Sequence, residues 1–199
     1  MSEVSRPPLI LASTSRYRQE LLARLQVPFS SEPPEVDEQA LPGEDAQVLV
    51  TRLALAKAQA VATRYPKALV IGSDQVAVYD GMIVGKPGNR EQASAQLDRI
   101  SGKLATLYTG LALIHKAAGR SHAEVVPFRV QFRQLGAAQI AAYLDREPAY
   151  DCAGSVRSEG LGIALFERFE GDDPTALMGL PLMRLVTLLN AWDWPVLGI

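Results

Sequence analysis

The sequence predicts an α/β fold: a mixed β-sheet with flanking helices. Three observations carry that expectation. Apolar runs of strand length alternate with segments of helical period, an Asp80-Gly81 pair separates two β-type runs, and two longer β-type runs follow each other directly. Alternation with helices favours parallel pairing and hairpin-like pairs require antiparallel pairing, so both belong in one sheet.

The elements follow in order. Leu9 to Ala12 is a short apolar strand. Ser13, Thr14 and Ser15 then offer N-cap oxygens to a helix from about Arg16 to Leu25, with Leu21, Leu22 and Leu25 on one face. Pro28 through Pro42 is acidic and broken by prolines, a loop with room for one short strand. From Glu44 to Tyr65 the period is helical: Val48, Leu49, Leu53, Ala56 and Ala60 form a stripe, and Pro66 ends it. Leu69 to Val78 and Met82 to Val84 flank Asp80-Gly81, a pair suited to the two-residue hairpin turn. With those two residues as the loop, Gln75 lies opposite Lys86 and Asp74 opposite Pro87.

Asn89 to Gly102 is a third helix, with Asn89 and Gln92 in capping-box spacing. Strands are expected at Leu104 to Ile114 and Val125 to Phe132, and a helix at Ala137 to Arg146. The polar, glycine-rich stretch Pro148 to Gly162 is the kind of loop that carries function. A strand from Ile163 to Phe169 and a helix from Pro181 to Trp192 close the chain.

Composition narrows the chemistry. The 199 residues, 48% of them hydrophobic, suffice for one sizeable core or two small lobes sharing a cleft, expected as one unit over residues 1–199. A net charge of -2 lacks the basic footprint of a nucleic-acid-binding protein, so an anionic ligand should be small. The single Cys152 cannot form an internal disulfide, the polar start resembles no signal peptide, and no apolar run reaches the length of a membrane span. The expected address is cytoplasmic, with no membrane partner. Two histidines and one cysteine are too few for the usual zinc sites, so a metal would be a hard ion on carboxylates, Mg2+ or Mn2+.

Several residues could carry chemistry. Ser13 to Arg18 combines free amides at a helix start with a guanidinium, which either holds phosphate or is an ordinary cap with solvated arginines. Asp74 ends an apolar run, where a carboxylate needs a metal or donors; it is a metal ligand and general base, or a turn-stabilising Asp. Glu35, Asp37 and Glu38 offer second carboxylates. Lys57 lies on the apolar stripe and either snorkels or points into a cleft. Gly81 to Pro87 looks like a phosphate loop but is one residue short between its glycines and has Pro where Ser or Thr must follow Lys86.

Taken jointly, these segments resemble the Maf family of nucleoside triphosphate pyrophosphatases over nearly the whole chain. The stretches that carry the resemblance are Leu9 to Ser15 with Arg18, Val36-Asp-Glu38, Ala54 to Ala58, Gly72-Ser-Asp-Gln75, Gly85-Lys-Pro87, Tyr108-Thr-Gly110, Cys152 to Ser155, Ser158-Glu-Gly160 and Gly179-Leu-Pro181. Each is weak alone; nine in order are specific. The resemblance implies two lobes around a deep cleft, similar to inosine triphosphatases, a homodimer, and metal-dependent release of pyrophosphate. It implies Asp74 as catalytic base, Glu38 as the second metal carboxylate, and Ser13, Arg18, Lys57 and Lys86 as phosphate contacts.

Three positions set base choice in that family, here Tyr17, Gln75 and Glu159. The set is similar to the branch acting on 7-methyl-GTP rather than the dTTP and UTP branch, although that branch often has tryptophan where this chain has Tyr17. Guanine offers N1-H and an exocyclic amine as adjacent donors, which a carboxylate such as Glu159 accepts. Methylation at N7 makes the base cationic, and an aromatic face such as Tyr17 attracts it. The alternatives are a pyrophosphatase for another triphosphate, and a nucleotide-binding regulator without turnover.

Overall fold

An eleven-residue strand, β3 (Leu69–Tyr79), organises the sheet of this computed structural model, which describes residues 6–198. One side of β3 pairs antiparallel with β5 (Leu104–His115) from Val70 to Val78. Its other side is shared. β1 (Leu9–Leu11) pairs in parallel with Leu69 to Ile71, and β4 (Met82–Val84) pairs antiparallel with Ala77 to Tyr79. Between them, residues 72–76 have no strand partner on that side. The sheet is therefore notched where β1 and β4 part, the kind of divergence at which α/β sheets bind ligands.

The rest of the sheet is built outward. β2 (Ser30–Ser31) adds to β1 in parallel, and β6 (Arg120–Phe132) and β7 (Phe166–Glu170) add antiparallel beyond β5, giving seven mixed strands. Ile10, Val70 and Ala112 point to one face, under α2 (Ala46–Arg64). Leu9, Leu11, Ile71 and Leu111 point to the other, under α1 (Arg16–Ala23) and α5 (Leu182–Ala191). The far halves of β3, β5 and β6 make a second core with α3 (Arg90–Ile100) and α4 (Ala137–Arg146), through Leu97, Leu107, Phe128, Ile140 and Phe166. One sheet thus runs through two lobes.

Two glycines let α2 sit close. A Cβ on Gly72 would lie 2.1 Å from Ala54 O, and one on Gly110 would lie 2.2 Å from Val50 O. Since Gly110 pairs with Asp74, the close approach occurs beside the notch and brings α2 side chains to it.

Several sequence expectations need correction. The stripe of α2 is shifted: Val48 is 54% exposed, while Val50, Ala54, Ala58 and Val61 are buried, because the glycine pair seats a different row of the helix on the sheet. That helix starts after Asp45, whose carboxylate accepts from Gln47 N and Val48 N at 2.9 Å each. β6 begins at Arg120, earlier than its apolar part, because pairing with β5 continues through the polar residues 120–124. The strand expected from Ile163 starts at Phe166; Leu161–Leu165 folds as a 3-10 turn, with Gly162 packed on the Arg157 carbonyl. The hairpin register is as expected, Tyr79 to Met82 and Ala77 to Val84, but pairing stops there and Lys86 leaves the ladder before reaching Gln75. No helix among the described residues is long and apolar enough to cross a membrane.

Candidate active site

The notch opens into a cavity of about 770 Å3. On one wall β1 runs out beside β3, fixed by Ala12 N donating to Ile71 O at 2.8 Å. Ser13 follows and is buried, its Oγ accepting from Ser15 N at 3.1 Å. Ser15 is the N-cap of α1 and accepts from Arg18 N at 3.5 Å. This chain of hydroxyl contacts turns the backbone from strand to helix within three residues and leaves the start of α1 facing the cavity. Arg18 Nε donates to Gly179 O at 2.8 Å. Burial lowers the Arg18 pKa from its ordinary value, offset in part by the charges of Asp74 and Glu38, and it stays a cation.

Asp74 sits in the notch itself. It is 7% exposed, and its Oδ1 accepts from Lys57 Nζ at 2.7 Å. Lys57 is 3% exposed and extends from α2 into the cavity rather than snorkelling to the surface. The same ammonium lies 2.8 Å from Glu38 Oε1, so one lysine bridges two carboxylates. Glu38 comes from the loop before α2, which is clamped from the helix. Arg52 Nε and Nη2 donate to Glu44 at 2.6 and 2.8 Å, and Nη2 also reaches Gln39 O at 3.0 Å. These contacts hold Glu44 down to about 2, chiefly through Arg52. Lys86, on the loop after β4, is exposed at the rim.

A second set of residues bordering the cavity has a different chemistry. Tyr17 lies one residue before Arg18 and lines the wall with Glu159 and Gln75. Gln75 Nε2 donates to Thr109 Oγ1 at 2.9 Å and to the Ala176 carbonyl, which uses both amide hydrogens. Ser73, on the same face of β3, lies 2.9 Å from both Gly110 O and Gly179 O. Thus the 3-10 turn Pro174–Met178 and Gly179 tie together the elements that present Arg18 and Gln75. Burial raises the Tyr17 pKa with help from nearby Cys152, against the pull of Arg157, so the phenol stays neutral.

The nine residues to which the resemblance gives roles border this one cavity, Ser13, Tyr17, Arg18, Glu38, Lys57, Asp74, Gln75, Lys86 and Glu159, whereas the other candidate carboxylates, Glu35 and Asp37, do not. The sequence reading missed Arg157, whose Nη2 donates to the Tyr17 hydroxyl and whose Cζ lies 5.3 Å from the ring centroid. It also missed Glu147, which accepts from Gly162 N at 3.0 Å beneath the loop that carries Glu159. The available signal for Arg157 was a lone cation two residues before Glu159 in a glycine-rich loop.

The sequence matches the family described as Maf-like protein over residues 8–192. The chain belongs to the Maf-like family. A relative from Alkalilimnicola ehrlichii named 7-methyl-GTP pyrophosphatase is 52% identical, with 97% of each chain covered. One of the same name from Nitrosococcus oceani is 54% identical, with 96% of each covered. Among solved structures, the Staphylococcus aureus Ham1 protein gives a TM-score of 0.44 at 12% identity, over 64% of this chain and 72% of its own.

This Maf-like site can be tested for a metal on its donors. Among the described residues no group of three or more His, Cys, Asp and Glu side chains converges as a protein cage would. Asp74 and Glu38, however, converge on one ammonium position. Two carboxylates completed by phosphate oxygens and water are the donor set that a hard divalent cation takes beside a nucleotide. The residues present fit such an ion.

Proposed function

We propose that this protein hydrolyses 7-methyl-GTP to 7-methyl-GMP and pyrophosphate, removing a modified nucleotide from the pool. The observation that carries the reading is the placement of Asp74. A buried carboxylate borders the same cavity as a set of cations and helix amides and a second set made of an aromatic ring and a carboxylate. Relatives of that name at 52 and 54% identity support the substrate. The whole chain acts as one unit in this reading, since the cavity draws on residues from Ala12 to Gly179.

The triphosphate lies along Ser13, Arg18 and Lys86, whose donors suit phosphate oxygens. Lys57 has three ammonium hydrogens; two are directed at Asp74 and Glu38, and the third is left for phosphate. Asp74 accepts a proton from water as the water oxygen bonds to the α-phosphorus. The bond from that phosphorus to the bridging oxygen breaks, and pyrophosphate leaves toward the cations. Asp74 and Glu38 would hold a divalent cation, which would supply neutralisation of phosphate charge. Tyr17 stacks on the base, Glu159 accepts from guanine N1-H and the amine, and Gln75 Oε1 adds a further acceptor.

The experiment is pyrophosphate release by the purified protein from 7-methyl-GTP, GTP, dTTP and UTP, with Mg2+, with Mn2+ and without metal. The expected result is fastest release from 7-methyl-GTP, dependent on metal. Preference for dTTP or UTP overturns the base assignment, and tight nucleotide binding without pyrophosphate overturns the enzyme reading.

A further inference from the structure

Arg157 lies against the Tyr17 ring, the face proposed to stack on the base. Its guanidinium lies over the Tyr17 ring, and both residues border the cavity. Apart from the bond to the Tyr17 hydroxyl, its surroundings satisfy it poorly. Glu147 Oε1 is 3.9 Å from Nη1 and Glu159 Oε1 is 4.0 Å from Nε, both beyond hydrogen-bond reach. Nε is buried with no hydrogen-bond partner. A planar cation thus rests on an aromatic face between two carboxylates, held loosely by each.

We propose that Arg157 sets the selectivity for the methylated base, by competing as a cation for the Tyr17 face and the Glu159 carboxylate. The proposal rests on the 7-methyl-GTP reading. A guanidinium and a 7-methylguanine ring are both flat, delocalised cations, and they seek the same partners. A base stacking on that face displaces the guanidinium. Glu147 is set to receive it, because Gly162 N fixes its carboxylate and its Oε1 already lies 3.9 Å from Nη1. Held at Glu147 beside the cavity, Arg157 still repels a cationic base and leaves a neutral guanine nearly unaffected. The residue thereby restrains preference for the methylated nucleotide.

The test is calorimetric binding of 7-methyl-GMP and GMP, without metal or turnover, at mildly acidic pH where the methylated base keeps its charge. Wild type, Arg157→Met and Arg157→Lys are compared, with thermal melting to check folding. The ratio of methylated to unmethylated affinity should rise roughly 2- to 30-fold in Arg157→Met, the range of a cation–π contact. Arg157→Lys keeps the charge and should stay near the wild-type ratio. An unchanged or smaller ratio in Arg157→Met overturns the proposal, as does an equal loss for both ligands, which would make Arg157 a support of the loop. If Arg157→Met does not fold, Glu147→Gln provides the same decision: stripped of its receiver, Arg157 should lower the ratio, and no change overturns the proposal. Turnover of 7-methyl-GTP with no movement of the ratio sinks this inference alone. Wild type that binds neither nucleotide sinks the functional reading as well.

Discussion

The residues proposed to hold phosphate and those proposed to read the base are built on different principles. Among the first, the central groups are held by short contacts: Ser15 caps α1, Arg18 on α1 bonds Gly179, and Lys57 on α2 bridges Asp74 on β3 to Glu38. Among the second, Arg157 and Glu159 ride on a segment of 3-10 turns and bends, and their charges face one another at 4.0 Å without closing a hydrogen bond. Pre-set donors suit a reaction in which charge develops at fixed places. Loosely satisfied charges suit recognition, since a ligand then competes against little.

The largest expected effect tests the reactive half. Asp74→Asn keeps the shape and an acceptor for Lys57 but removes the base, so turnover should fall by about 10² to 10⁴-fold. Binding of 7-methyl-GMP should be nearly unchanged, because the proposed base contacts are Tyr17, Gln75 and Glu159 and not this carboxylate. A matching loss of nucleoside monophosphate affinity, read by calorimetry, would erase the division between the two ends.

Glu159→Gln tests the other half. Replacing an acceptor pair by one acceptor and one donor should reduce discrimination for guanine by about 1 to 3 kcal/mol, while the rate on a saturating substrate changes little. Competition between 7-methyl-GTP and a pyrimidine triphosphate measures it. Unaltered guanine preference would remove Glu159 from base reading.

The two halves were unequally legible in the sequence for the same physical reason. Ser13 to Arg18 and Gly72 to Gln75 stand at the ends of strongly patterned elements, where an apolar run fixes the strand and the next polar residues must exit at its end. Asp74 and Lys57 could each be suspected, yet their 2.7 Å contact depends on the close seat of α2. That seat is set by Gly72 and Gly110, thirty-eight residues apart in sequence and invisible to any local periodicity. The base end depends on a loop. Arg157 reaches Tyr17 across 140 residues, and Ile163 to Leu165 read as strand because their apolar pattern is ambiguous between strand and turn. Tertiary packing of Gly162 decides that ambiguity.

The seat of α2 predicts an effect on both ends at once. Gly72→Ala puts a methyl 2.1 Å from a backbone carbonyl of α2, and neither backbone yields easily. Overpacking of this kind should lower stability by about 1 to 3 kcal/mol in chemical denaturation. It should also slow turnover, since lifting α2 draws Lys57 from Asp74. A variant of full stability and full activity would show that the glycine pair does not set the site.

The smallest effect concerns the loop that holds the base end. Cys152 Sγ lies 4.0 Å from the Tyr17 hydroxyl, and burial, aided by the charge of Asp151, pushes its thiol up to about 11. An ordinary thiol titrates near about 8.5, so at pH 8 the folded protein should react with an alkylating reagent about two orders of magnitude more slowly than the unfolded chain. Because the folded state keeps its proton to higher pH, the sign is fixed: the contribution to stability is complete below the unfolded value and is lost as pH climbs through about 11. If the loop opened often on its own, alkylation at pH 8 would approach the unfolded rate and the looseness of the base end would extend to its backbone. Slow alkylation that accelerates only toward pH 11 confines that looseness to the side chains of Arg157 and Glu159, on a loop that otherwise keeps its place.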